Sequence, residues 1–214
     1  MTQQQATGGS LLMDCLIGLG AYKGFGVPGE SYLAVLDAMY DRADKFELIL
    51  CRHEGGAAYM AEAWGKLTGT PGICFVTRGP GATNASIGIH TAMQNSSPML
   101  VFVGQVGTDM RGREAFQEID YMHYFGKVAK WVCEIDDADR IPELIARAWT
   151  TALSGRSGPV VVGRPENMLR AASSRPSCGP VKVPEPALSS AQITQLQDYL
   201  SAAQRPVVLY GGSG

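Results

Sequence analysis

The chain has 214 residues, enough for one or two domains. Apolar residues make up 45% of it and charged residues 18%, which suits a globular chain with a core of its own. A net charge of −2 argues against a nucleic-acid surface or a basic membrane patch, and no stretch reaches the roughly 18 apolar residues of a membrane span.

Met1 to Gly9 are polar and end in glycines; they read as a frayed tail (1–9) with no signal peptide. Ser10 can cap a helix through Leu11, Leu12, Leu16 and Leu19 to about Lys23. A short strand follows at Phe25-Gly26-Val27. Ser31 to about Arg42 is amphipathic, with Leu33, Val35, Leu36 and Met39 inward. Glu47 to Cys51 reads as a strand, and Glu54 to Thr68 as a helix closed by Gly69. Gly72 to Thr77 is a strand, Gly81 to Met93 a helix, and Met99 to Val103 a fully apolar strand. A loop rich in Gly and charge runs from Gly107 to Gln117. Lys127 to Glu134 is a strand, Asp136 to Ser154 a helix with an acidic first turn, and Pro159 to Gly163 another apolar strand.

Continuous apolar strands alternating with helices predict a three-layer α/β/α, doubly wound, mostly parallel sheet covered on both faces. Composition shifts after Met168. Arg170 to Ser190 is rich in Ser and Pro and reads as an extended linker, 169–189. A helix from Ser190 to Ala203 and a strand from Pro206 to Tyr210 follow. One helix, one strand and a Gly turn bury no core, so 190–214 reads as the start of a second α/β domain and the chain as a fragment. The five cysteines (Cys15, Cys51, Cys74, Cys133, Cys178) are scattered and odd in number, with no Cys-x-x-Cys, which fits reduced thiols and a cytoplasmic location.

Ligands of open parallel sheets bind outside the carboxyl ends of the strands. Three loops fall there: the Gly/Pro turns Val27-Pro28-Gly29 and Gly79-Pro80-Gly81-Ala82-Thr83-Asn84, and the strand-to-helix turn at Glu54. Glu54 stands where an apolar strand gives way to a helix, with small residues after it. A helix-start carboxylate can simply answer the helix dipole. Gly24-Phe25-Gly26-Val27-Pro28-Gly29 formally matches G-x-G-x-x-G, but a helix rather than a strand precedes its first glycine, against a dinucleotide site. Gly79-Pro80-Gly81 at a helix mouth can bind an anion. It lacks the third glycine and the lysine of a phosphate loop. His53, His90 and His123 make no ligand spacing. His53 reads as a hydrogen-bonding neighbour of the Glu54 turn, and Asp136, Asp137 and Asp139 as a solvated first turn.

Three such loops in this order, with Met60-Ala61-Glu62-Ala63-Trp64-Gly65-Lys66-Leu67-Thr68-Gly69 after Glu54, resemble the N-terminal pyrimidine-binding domain of thiamine-diphosphate enzymes. The acetolactate synthase group is the nearest likeness. The resemblance spans 10–168 and, more loosely, 189–214. It implies a thiamine-diphosphate-dependent lyase or transferase that decarboxylates a 2-oxo acid or ligates two carbonyl compounds. Glu54 would be the activating acid. It would hydrogen-bond N1′ of the aminopyrimidine and favour the imino tautomer, whose 4′-nitrogen takes the C2 proton of the thiazolium. An apolar pocket around its carboxyl would suit that proton sharing. Val27, Pro28, Gly29, Pro80, Gly81 and Asn84 would line the cofactor pocket, with Asn84 read as pinning its turn. Ala115-Phe116-Gln117-Glu118 resembles a stretch whose glutamine, here Gln117, points to the reacting end of the cofactor; solvent is its bland alternative, and a strand-edge charge the alternative for Lys130. Glu30, Gly163 and Arg164 depart from the family's pattern.

The resemblance also implies that the diphosphate and its Mg2+ bind a domain absent from this sequence, so no metal ligands are expected here. It further implies that the fragment alone is inactive, that the central domain of relatives can hold FAD or a nucleotide, and that subunits pair as a homodimer or homotetramer. The small-residue helix faces (Ala57, Ala58, Ala61, Ala82, Ala85, Ile87, Ile89, Ala92) are the expected pairing surface. A non-catalytic oligomerisation or binding module, or a nucleotide-binding doubly wound domain, are the alternatives. The identity of the 2-oxo acid is not written in these residues.

Overall fold

A computed structural model describes residues 6–184, 186–209 and 211. Six strands form one parallel sheet: β2 (Lys23–Gly26), β3 (Glu47–Leu50), β4 (Gly72–Val76), β5 (Met99–Gln105), β6 (Trp131–Glu134) and β7 (Pro159–Pro165). Their order across the sheet is β3-β2-β4-β5-β7-β6. Every pairing within it is parallel. The expected three-layer α/β/α sandwich is therefore present.

The period-2 geometry of the central strands sorts their side chains to two faces. Ile73 and Phe75 of β4, Leu100 and Phe102 of β5, and Val160 and Val162 of β7 face one core. That core is closed by α1 (Gly8–Gly18), α2 (Leu33–Tyr40) and α6 (Ile141–Leu153). Cys74, Val76, Met99, Val101, Val103 and Val161 face the other core, closed by α3 (Glu54–Thr68), α4 (Gly79–Asn95) and the short α5 (Tyr121–Phe125). Strands β4, β5 and β7 are buried along their whole length, which is why they carry no polar alternation.

Several boundaries differ from the sequence expectation, each for a local reason. The first helix starts at Gly8, because Thr7 is the cap: its Oγ1 accepts the Ser10 amide at 3.2 Å. It stops at Gly18, with Leu19 as its C-cap and Gly20 at φ 100, so Lys23 lies in β2. Residues 6–9 are not a frayed tail: β1 (Ala6–Thr7) pairs antiparallel with β8 (Ala172–Ser173). A side chain at Gly8 would strike the Met168 carbonyl, and one at Gly9 the Ala34 carbonyl. A 3-10 turn at Glu30–Tyr32 precedes α2, and Leu33 is turned to solvent.

Pro80 fits the first turn of α4, where its missing N–H costs nothing, so that helix begins at Gly79 rather than Gly81. The expected strand at 127–134 shortens to β6. Tyr121–Phe125 is helical instead, capped by the Asp120 carboxylate on the His123 amide at 3.0 Å. Helix α6 begins at Ile141, after a 3-10 turn at Ala138–Arg140.

The 169–189 segment is not wholly extended. It opens with the end of α7 (Glu166–Arg170) and with β8, and Cys178 and Val181 rest on the core. Helix α8 (Ser190–Ala202) carries the full capping box of Ser189 and Gln192 but buries no residue. The expected strand at 206–210 does not form in its described part. Residues 206–209 pair with nothing there and are exposed, and Tyr210 lies outside the described residues, as does most of the closing Gly turn. Among the described residues no helix is long and apolar enough to cross a membrane, and no group of three or more His, Cys, Asp or Glu side chains could hold a metal ion.

Candidate active site

The carboxyl ends of β2, β3 and β4 lie side by side in register, with Gly26 opposite Leu50 on one side and Phe75 on the other. The three loops of interest leave the sheet there. Thr77, just after β4, stands between two of them. A Cβ on Gly29 would lie 2.6 Å from the Thr77 Cβ, and one on Gly81 would lie 2.9 Å from its Cγ2. Thr77 also meets Ser31 through hydroxyls 2.9 Å apart. The 27–29 loop and the α4 N-terminus are thus clasped together, and glycine is required at both contacts.

Glu54 is the first residue of α3. His53 before it is extended, and its Nδ1 accepts the Gly55 amide at 3.0 Å, so the hydrogen-bonding neighbour expected of His53 is observed. The Glu54 carboxylate crosses to α4: Asn84 Nδ2 donates to its Oε2 at 2.9 Å. Its Oε1 faces Gly81, where an added Cβ would lie 3.5 Å away. Asn84 therefore orients Glu54, which corrects the expectation that it pins its own turn. Glu54 is half-buried and Asn84 exposed, so this chain alone does not surround the carboxylate with the apolar pocket expected of it.

Helices α3 and α4 carry this pair because they can touch. Ala57, Ala58, Ala61, Ala82, Ala85, Ile89 and Ala92 are all fully buried. Gly88 lies against Ala58, with room for no side chain: its Cβ would come within 2.5 Å of the Ala58 Cβ. This corrects the expectation that these small-residue faces await a second subunit, since they are spent on each other. Ile87 alone of that set is exposed, as are Tyr59 and Met60 on α3.

Of the other expected site residues, Val27 and Gly29 are half-buried, and Pro28 and Pro80 exposed, all on this rim. Gln117 reaches the rim through its backbone. Its carbonyl accepts the Gly79 amide at 3.0 Å, and it holds φ 66, an unusual left-handed conformation for a residue other than glycine. Lys130 lies before β6 and donates through Nζ to the Ser154 carbonyl, away from the rim, and burial lowers its pKa.

Sequence reasoning gave no role to Arg78, which joins the loops. Its guanidinium reaches Glu30 at 3.2 Å, Glu166 at 3.4 Å and the Phe116 carbonyl at 3.4 Å. Glu30, the family departure, is thereby half of an ion pair. The one available signal was an arginine two residues past a fully apolar strand, at the mouth of a helix.

Residues 6–124 match the family model of the thiamine pyrophosphate enzyme, N-terminal TPP binding domain. The chain belongs to that family. It is 36% identical to the acetolactate synthase isozyme 3 large subunit of Escherichia coli (strain K12), over 98% of this chain and 37% of that protein. It is 35% identical to the acetolactate synthase of Bacillus subtilis (strain 168), over 97% of this chain and 36% of the relative. It is 36% identical to the mitochondrial acetolactate synthase catalytic subunit of Saccharomyces cerevisiae, over 97% of this chain and 32% of the relative. The chain thus spans about a third of the length of these relatives. At this edge Gly29 packs on Thr77, and Gly81 leaves the Glu54 Oε1 without a side chain against it, while Oε2 is held by Asn84.

Proposed function

We infer that this chain is the pyrimidine-binding part of a thiamine-diphosphate-dependent enzyme that decarboxylates a 2-oxo acid or ligates it to a second carbonyl compound. The observation that carries the reading is the Glu54 carboxylate, fixed through Oε2 by Asn84 and left with Oε1 uncovered beside Gly81. Thiamine diphosphate, when bound, supplies the acidic thiazolium carbon and the electron sink this chemistry needs. The chain supplies the rest. Glu54 Oε1 shares a proton with the ring nitrogen it meets, and Asn84 holds the carboxyl in one orientation so that no rotamer search precedes the transfer. Gly81 admits the ring, Val27, Pro28, Gly29 and Pro80 form the rim, and Gln117 stands at the α4 side of the same edge.

The proposal includes the domain division: 10–168, joined by 6–9, as the pyrimidine-binding domain, 169–189 as a linker and 190–214 as the start of a central domain. In the longer protein the diphosphate and its Mg2+ would sit on a further domain, and FAD would be a candidate ligand of the central one. A homodimer or homotetramer in the cytoplasm fits the open side of Glu54, whose missing wall a second subunit would supply; Tyr59, Met60 and Ile87 are exposed apolar residues of the two helices that carry Glu54 and Asn84.

The test is titration of the longer enzyme with thiamine diphosphate or ATP, with pyruvate consumption as readout. Saturable dependence on thiamine diphosphate, and none on ATP, is expected. The 214-residue chain alone should consume no pyruvate above a Glu54→Gln control. Turnover by that chain, or dependence on ATP in its place, would overturn the reading. Asn84→Leu should lower cofactor-dependent turnover of the longer enzyme by about tenfold, the weight of one hydrogen bond to a charged group.

A further inference from the structure

Among the described residues, Arg164 has the most buried side-chain nitrogens without a hydrogen-bond partner. It lies near the carboxyl end of β7, opposite Gly104 of β5, and is fully buried. Its Nε, Nη1 and Nη2 are all buried without a hydrogen-bond partner. Burial pushes the guanidinium down to about 10, so it remains a cation at neutral pH. Buried cations ordinarily sit against a carboxylate. Here the neighbours are aromatic: the guanidinium carbon is 5.2 Å from the Tyr32 ring centre, 5.3 Å from Phe75 and 5.4 Å from Phe102. The rings are themselves stacked, Tyr32 on Phe75 at 6.2 Å and Phe75 on Phe102 at 5.0 Å. A cation beside π faces within about 6 Å is attracted to them, most strongly where water is excluded.

The stack leads to the site. Tyr32 is fully buried, and its hydroxyl donates to the Val27 carbonyl at 2.5 Å. Burial raises the phenol pKa and the Arg164 charge opposes that rise, which makes the hydroxyl a better donor than burial alone would leave it. The Gly29 carbonyl accepts the Tyr32 amide at 3.4 Å, so both ends of the 27–29 loop are tied to this one residue.

We propose that Arg164 and Tyr32 are positioning residues: the buried guanidinium holds the Tyr32 ring, and the Tyr32 hydroxyl fixes the 27–29 loop from beneath. Cores rarely keep an unpaired charge at the expense of stability unless something else depends on it. The inference rests on the reading above only for the loop's role at the cofactor. That the loop is held this way stands on the contacts alone.

Opposite signs in two measurements test it. Arg164→Met keeps the length and apolar volume of the side chain and removes the stranded charge. The melting temperature of the 214-residue chain should rise by several degrees. Amide hydrogen exchange of the 27–32 segment, read at the hydrogen-bonded amides of Val27 and Tyr32, should nevertheless speed up about fivefold, the weight of one ordinary hydrogen bond. Tyr32→Phe should speed exchange in the same segment by a similar factor while exchange in β5 stays as in the parent.

If Arg164→Met raises the melting temperature and leaves the Val27 and Tyr32 amides as protected as before, or if Tyr32→Phe leaves that segment unchanged, the proposal is overturned. In the longer enzyme, Tyr32→Phe should raise the half-saturating thiamine diphosphate concentration about tenfold with kcat little changed. A loosened loop with unchanged half-saturation would support the positioning roles and remove the 27–29 loop from the cofactor pocket.

Discussion

Glu54→Gln should slow C2–H/D exchange of bound thiamine diphosphate by about 10² to 10⁴-fold in the longer enzyme, the range typical of a positioned acid-base group. The amide has the size of the carboxyl, and its oxygen can still accept from Asn84 Nδ2, so the α3–α4 contact survives. What it loses is the oxygen at Gly81 that can take and return a proton. The cost to the fold is the missing negative charge in the first turn of α3, about 0.3–1 kcal/mol. Circular dichroism and the melting temperature should therefore change little while exchange collapses. Exchange within about threefold of the parent, a barrier change well under 1 kcal/mol, would remove Glu54 from the activating role.

Gly88→Val should be among the most damaging single changes in the chain. The position touches the α3 backbone as well as a side chain: an added Cβ would lie 2.5 Å from the Ala58 Cβ, 2.8 Å from its carbonyl carbon and 3.0 Å from the Tyr59 amide nitrogen. Backbone cannot turn aside as a flexible side chain would, so the two helices must separate. Overpacking of this kind costs about 1–3 kcal/mol and occasionally more, against a total stability of about 5–15 kcal/mol. The urea midpoint should fall by about 1 M with an unchanged slope. Because Asn84 lies one turn before Gly88, separation of the helices also lengthens its bond to Glu54, and cofactor-dependent activity should fall further than stability alone explains. Gly56→Ala on α3 is the control. Nothing lies within 4 Å of the added carbon, so stability should rise by about 0.5–1 kcal/mol. A Gly88→Val midpoint equal to that of the parent would show that α3 and α4 are not packed this closely.

Much of the sandwich was legible in sequence because its signals are local. The runs at 72–76, 99–103 and 159–163 contain no polar residue on either side of the pleat, which only a sheet covered on both faces accommodates. Gly69 at φ 70 marks the end of α3 as a glycine there should. Glu54 at a strand-to-helix turn, followed by small residues, was visible for the same reason, and so were the glycines of the two flanking loops. Boundaries failed where a neighbour decided them. Thr7 rather than Ser10 caps α1 once residues 6 and 7 pair with β8, and the 206–209 stretch has strand composition but no strand to pair with among the described residues.

The sequence by itself determined the fold class, the chain order of the three loops and the place of Glu54 at a strand-to-helix turn. Hydrophobic period and turn chemistry are properties of neighbouring residues, and the likeness to thiamine-diphosphate enzymes is carried by three short loops in order and the stretch after Glu54. Only the tertiary structure decided what those residues touch. It spent the small faces of α3 and α4 on each other, turned Asn84 from its own turn to the Glu54 carboxylate, and made Glu30 the partner of Arg78. It also set Arg164, 132 positions beyond Tyr32 in the chain, beneath that ring. Contacts between residues so far apart follow from strand order and helix packing, and no local pattern encodes them.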